Sequence, residues 1–270
     1  MKTPFLLSLA LFCGATQAEP EYFARFKHNN TVSYGQVMDN TVLPISGSPF
    51  EPHQPVGDAI DLAQVELLLP SESPKVFAVG MNFASHISSQ AEAPPPLFLK
   101  LPSSLIVSGR DIELPEDAQN VHFEGELVLI IGQESKHISE AEAEQAIFAV
   151  SVGNDLTERS WQGRDLQWMR SKAADGFGPI SPLMAVGVDY NNVQLTTRLN
   201  GEIVQQETTA HMIHSPTKVV SYLSQYFTLL PGDLVFMGTP GRTKSLQHND
   251  VVSVTIEQVG TVENRIQQQN

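Results

Sequence analysis

Glu124-Gly125-Glu126 runs straight into Leu127-Val128-Leu129-Ile130-Ile131, and this segment constrains the fold more than any other. Five consecutive apolar residues over a strand-length run mark a strand buried on both faces. We read His122 to Ile131 as one long strand, with Glu124 and Glu126 at i and i+2 on the same face. Like charges so placed repel. A solvated strand face would relieve the repulsion, but the buried run that follows argues against one. A cation between the carboxylates resolves the conflict. Asp155 ends a short apolar run in Val152-Gly153-Asn154-Asp155-Leu156 and is the candidate third ligand. Three carboxylates without cysteine indicate a hard cation, Mg²⁺ or Mn²⁺ more than Zn²⁺, while Ca²⁺ would want more ligands.

The rest of the chain is β-rich. With 18 Gly and 18 Pro, turns are frequent, and with 41% hydrophobic and 17% charged residues the chain is globular, not disordered. Tyr22–Phe26 and Val32–Val37 flank His28-Asn29-Asn30 as a hairpin. Ser71–Pro74 reads as a linker. Further strands are expected at Val76–Val79, Leu97–Leu99, Leu234–Met237 and Val251–Glu257. Two helices are marked by their starts. Ser139 with Glu142 forms a capping box. Ser215 caps a second helix with Pro216 at its first position and an apolar stripe of Val219, Val220, Leu223 and Phe227. The fold class is mainly β with a few helices (α+β).

A net charge of -14 excludes a protein that tracks phosphates and disfavours an anionic membrane surface. It leaves room for a small anionic substrate in a locally positive site. Met1–Ala18 carries Lys2, an apolar stretch and Thr16-Gln17-Ala18, the pattern of a secretory signal peptide cleaved at about Ala18. The chain is therefore expected to be secreted, in the periplasm, with no membrane association after cleavage. Its single cysteine, Cys13, would leave with the signal.

An ordered set of motifs resembles the fumarylacetoacetate hydrolase family, from about Phe23 to Arg265. The set begins with Val79-Gly80-Met81-Asn82-Phe83 and His86, Leu97-Phe98-Leu99-Lys100, and Phe123-Glu124-Gly125-Glu126-Leu127. It continues with Gly153-Asn154-Asp155-Leu156-Thr157-Glu158-Arg159 and Gln167-Trp168-Met169-Arg170-Ser171-Lys172. Asn200-Gly201-Glu202, Met212-Ile213-His214-Ser215-Pro216, Pro231-Gly232-Asp233 and Gly238-Thr239-Pro240 complete it. The resemblance implies a mixed β-sandwich roll (73–270) behind a small N-terminal β domain (19–72). It implies a homodimer, and Mg²⁺ or Mn²⁺ on Glu124, Glu126 and Asp155. It further implies C–C hydrolysis, decarboxylation or isomerisation of small 2-oxo or dicarbonyl acids. His86 and Lys172 are the implied catalytic residues. Arg159, Gln162, Lys172 and Thr239 match substrate positions, and Lys100 is expected to face the site.

Two departures qualify this. Where family members with a hydrolytic or decarboxylating dyad carry Glu three residues after the histidine, this chain has Ser89, and Glu92 has the wrong spacing. That weighs against hydrolysis and decarboxylation more than against metal binding, and favours keto–enol or double-bond isomerisation. A non-catalytic secreted protein retaining the metal and oxo-acid pocket is the second reading. The other departure is Gly241-Arg242-Thr243-Lys244 after Pro240. Its two cations suit a dianionic substrate or are plain loop charges, and the latter is favoured.

Overall fold

The structure, a computed structural model, describes residues 19–72, 75–87 and 94–268. The expected signal peptide, Ser89 and Glu92 lie outside these residues. The chain is mainly β with a few helices, as expected. A 13-stranded mixed sheet packs over a five-stranded one, and the strand Gly125–Ile131 lies near the middle of the larger sheet. Its neighbours there are Ile147–Asn154 and Leu234–Phe236, both antiparallel to it.

The continuous apolar run follows from this position. Leu127, Leu129 and Ile131 pack with Leu195, Val254 and Ile256 of the smaller sheet and with Val219, Val220 and Leu223 of a helix. Val128 and Ile130 point the other way, among Phe23, Val76, Ala78, Met184 and Phe236. Each of the five is 0% exposed. A strand covered on both sides has no polar face, so alternation disappears.

The long strand expected from His122 is interrupted. Val121–His122 pairs with Thr157–Glu158 in a separate two-stranded ladder, and the central strand starts at Gly125. The register nevertheless carries through the break. His122 faces Thr157 and Gly125 faces Asn154, so Glu124 lies opposite Asp155. The interruption arises because the Glu124 N–H donates to the Asn154 side chain at 2.8 Å, while Asp155 N–H donates to the Glu124 carbonyl at 2.8 Å.

Gly125 is set by packing between the sheets. A Cβ there would stand 2.3 Å from Thr197 Oγ1 and 2.9 Å from Val254 Cγ1 of the smaller sheet. Gly125→Ala should therefore lower stability by about 1–3 kcal/mol, read from a urea midpoint shift at unchanged slope.

The hairpin forms between Glu21–His28 and Thr31–Met38, with Asn29 and Asn30 both at positive φ, as a tight turn requires. Its first strand also pairs with Leu183–Val186, so the N-terminal region is hydrogen-bonded into the large sheet. Ser71, expected in a linker, is buried and donates to the Gly232 carbonyl at 2.7 Å. Both helix starts are as read: the capping box at Ser139 and Glu142, and Ser215 accepting from the Lys218 N–H. The second helix, Pro216–Tyr226, stops before Phe227, which is 42% exposed instead of completing the buried stripe. Extended backbone at Phe227 ends the helix and turns its ring to Phe77, 5.1 Å away.

Candidate active site

Glu124, Glu126 and Asp155 converge, with one oxygen of each within 4.8 Å of the others. The strand pair explains this. Glu124 and Asp155 oppose one another across the interrupted ladder, and Glu126 is one pleat further along the same face. All three are buried, at 4%, 2% and 0% exposure. They line one cavity with His86, Arg159, Gln162, Lys172 and Thr239, and Phe98 and Trp168 form its apolar wall.

Burial raises the pKa of the Glu124 and Glu126 carboxyls, and the charges around each decide the outcome. At Glu124, burial is outweighed by Lys172 and Arg159, which hold the carboxyl at about 2. Lys172 Nζ donates to Glu124 Oε2 and Asp155 Oδ2, both at 2.5 Å, and Arg159 Nη2 donates to Glu124 Oε1 at 2.5 Å. Glu126 is different. Burial and the charges of Asp155 and Glu124 push its pKa well above the usual carboxylate range, against the opposing pull of Lys172 and the Gly238 N–H. The latter donates to Glu126 Oε2 at 2.7 Å. Burial lowers the pKa of Lys172, but Asp155 and Glu124 outweigh it and raise its pKa. Their two contacts hold the Lys172 ammonium between the carboxylates.

A divalent cation fits this donor set. Three buried carboxylates offer only hard oxygen ligands, and burial beside Asp155 and Glu124 pushes the pKa of one of them, Glu126, well above the usual carboxylate range. The backbone around it is fixed. Gly238 has φ +90°, a conformation glycine adopts without strain, and a Cβ there would lie 2.7 Å from the Asn82 Cβ. Asn82 ties three segments together, donating to the His214 and Met237 carbonyls and accepting from the His214 N–H.

The structure sets Lys100 behind the triad instead of on the cavity wall. It is 2% exposed, and its ammonium donates to Asp155 Oδ1 at 2.6 Å, to the Phe177 carbonyl at 3.0 Å and to the Lys172 carbonyl. All three N–H groups are thereby used, so Lys100 fixes Asp155 and the turn carrying Lys172. Lys100→Met leaves a buried carboxylate oxygen and two carbonyls short of a donor. The expected loss is about 3–5 kcal/mol by denaturant titration.

His86 Nδ1 lies 2.7 Å from the Gly241 carbonyl. A carbonyl only accepts, so Nδ1 carries a proton, and the tautomer this fixes for the neutral ring has its lone pair on Nε2. Nε2 lies 3.9 Å from Glu124 Oε1, on the cavity side. Arg159 Nη1 donates to Gln162 Oε1 at 2.9 Å, which by the same logic leaves the Gln162 amide N–H groups for a ligand. In the loop after Pro240, the group that reaches the site is Thr243. Its hydroxyl accepts from Arg159 Nη2 at 3.1 Å and lies 2.8 Å from His122 Nδ1.

Several contributors escaped the sequence reading. Glu158, within the Asp155–Arg159 motif, is a structural cap that accepts from Trp161 and Asn120 N–H groups. Its signal was present, since a carboxylate three residues before a tryptophan N–H at a helix start is a cap. Gln205 had no local signal, because its partners lie 34, 35 and 80 residues away in sequence.

Comparison with known proteins agrees with this geometry. The family model described as fumarylacetoacetate (FAA) hydrolase C-terminal matches residues 75–267. A second model, Rv2993c-like, N-terminal, matches residues 23–70. The chain is 37% identical over 238 residues to Protein Rv2993c of Mycobacterium tuberculosis, covering 86% of this chain and 90% of that one. It is 33% identical over 222 residues to the mitochondrial oxaloacetate tautomerase Fahd2a of Rattus norvegicus, covering 77% and 71%. Among solved structures, 2-hydroxyhepta-2,4-diene-1,7-dioate isomerase from Mycobacterium marinum superposes with a TM-score of 0.87 at 34% identity, covering 93% of this chain and 99% of that one. Fumarylpyruvate hydrolase from Pseudomonas aeruginosa, in complex with Mn²⁺ and pyruvate, gives 0.69 at 29% identity, covering 73% and 91%. By its sequence, its fold and the residues gathered in its cavity, this chain is an enzyme of the fumarylacetoacetate hydrolase family.

Proposed function

We propose that the enzyme isomerises a small dianionic 2-oxo acid, moving one proton between the α-carbon and the enol oxygen, with oxaloacetate keto–enol conversion as the reference reaction. The observation that carries this is His86, whose Nδ1 is pinned as a donor and whose Nε2 lone pair faces the cavity. A single proton carrier suffices for tautomerisation, whereas hydrolysis needs a positioned water and a second acid–base group. The carboxylate that the structure brings to His86 is Glu124, which Lys172 and Arg159 hold ionised. The tautomerase and isomerase among the relatives support the same class of reaction.

Charge sets the substrate. Lys100, Lys172 and Arg159 balance Glu124, Glu126 and Asp155 once Glu126 ionises. A divalent cation then leaves the site with two positive charges, matching a dianion. Glu124, Glu126 and Asp155 would hold Mg²⁺ or Mn²⁺, which would supply Lewis acidity where negative charge develops on a substrate oxygen. Gln162 and Thr239 orient the acid, Phe98 and Trp168 exclude water, and His86 Nε2 carries the proton between the α-carbon and the enolate oxygen, taking it from one and delivering it to the other.

Stopped-flow absorbance of enol-oxaloacetate tests this. Ketonisation should accelerate only with Mg²⁺ or Mn²⁺ present. Metal-dependent binding of oxalate without turnover of any candidate acid would instead make the chain a binding protein.

A further inference from the structure

We propose that Gln205 is a positioning residue that fixes Thr239 as a hydrogen-bond donor to the substrate carboxylate. This rests on the oxo-acid reading above. Gln205 projects from Glu202–Thr208 of the smaller sheet and is buried. Its amide spans two parts of the site. Oε1 accepts from the Gly125 N–H, between the two glutamates, at 3.3 Å. Nε2 donates to the Pro240 carbonyl at 2.5 Å and to Thr239 Oγ1 at 2.9 Å.

The amide orientation is determined by its backbone partners. The Gly125 N–H only donates, so it must face the amide oxygen. The Pro240 carbonyl only accepts, so it must face the NH₂. Flipping the amide would set donor against donor and acceptor against acceptor. The NH₂ therefore gives its second hydrogen to Thr239, filling an acceptor site on that hydroxyl. A threonine hydroxyl has one proton. With Gln205 donating to it, that proton is left for the cavity that Thr239 lines. The cavity then presents a fixed donor at this point, which favours an acceptor oxygen. A carboxylate is the strongest such acceptor, because a hydrogen bond to a charged oxygen is worth about twice a neutral one.

The polarity of Thr239 is thus set from the second sheet. This adds a specificity element outside the motifs that carry the metal and the base. It also explains a buried glutamine whose partners all belong to the site.

Gln205→Glu tests the assignment on the Mn²⁺-loaded enzyme. A carboxyl has at most one O–H, which the Pro240 carbonyl takes, so Thr239 loses its donor in either protonation state. Oxalate affinity, by calorimetry, should fall about 10- to 100-fold, the weight of one hydrogen bond to a charged acceptor. The KM for oxaloacetate should rise by a similar factor while kcat and Mn²⁺ affinity hold, since the contact is made equally in ground and transition states. Thr239→Val should match Gln205→Glu, Thr239→Ser should retain binding, and the double variant Gln205→Glu/Thr239→Val should lose little beyond Thr239→Val alone. Wild-type oxalate affinity in Gln205→Glu, or additive losses in the double variant, would overturn the role of Gln205 while leaving the function standing. Failure of the wild-type Mn²⁺ enzyme to bind oxalate would overturn the oxo-acid reading and this inference with it.

Discussion

Glu126→Gln will abolish tight divalent-cation binding and, at the same time, make the metal-free protein more stable. The two effects share one cause. Glu126 is buried beside Asp155 and Glu124, and its carboxyl is driven toward the protonated form. With no cation it is a liability to the fold, and with one it is a ligand. Loss of a residue that only supports a ligand already weakens metal sites about 10- to 100-fold, so loss of a direct ligand should exceed about 100-fold. Mn²⁺ calorimetry reads this directly. The stability change has a definite sign with pH. The folded-state pKa of Glu126 lies above its ordinary value, so its contribution is fully present below the ordinary value of 4.5 and is lost as pH rises through the folded pKa. Glutamine does not titrate. The advantage of Glu126→Gln without metal should therefore be small near pH 4.5 and grow on going up through that window. At neutral pH we expect about 1–2 kcal/mol, or a Tm rise of about 2–6 °C by calorimetry in EDTA. Saturating Mn²⁺ should reverse the order, stabilising the wild type and leaving the variant unmoved. A variant that loses stability in EDTA would show that Glu126 is not under the strain its neighbours impose.

His86→Ala should lower kcat for oxaloacetate ketonisation about 10²- to 10⁴-fold, the usual weight of one general acid–base group. Mn²⁺ affinity should stay within about threefold, because His86 is not among the three converging carboxylates. His86→Gln separates hydrogen bonding from proton transfer. Its amide can still meet the Gly241 carbonyl, yet it offers no titrating lone pair, so it should be as slow as alanine. Rates near wild type in both variants would remove His86 from the reaction and point to another carrier on the cavity wall.

How far the sequence foretold all this depended on distance along the chain. The buried central strand, the hairpin and both helix starts were legible because their signals are local: an apolar run, paired asparagines, capping residues. The triad was legible as well, since strand geometry puts Glu124 and Glu126 on one face and the motif around Asp155 resembled a known pattern. The break at Glu124 was not, because it depends on an asparagine side chain reaching in from the next strand. Lys100 was assigned to the cavity on its motif alone. Its place behind Asp155 is a matter of three-dimensional packing that no spacing encodes. Gln205 and Thr243 were invisible for the same reason. Each acts on a neighbour that only folding brings near.

The register that sets Glu124 against Asp155 has a further consequence. The charged centre is carried by two adjacent strands whose alignment is fixed rung by rung. A single-residue insertion or deletion in either strand would turn a carboxylate to the opposite face and dismantle the centre. Arg159 and Gln162, on a short helix, and His86 and Thr239, on turns and loops, by contrast lie outside those two strands, so exchanges there leave that alignment in place. Natural variation is therefore free to retune which acid is accepted while the reactive core stays out of reach of such changes.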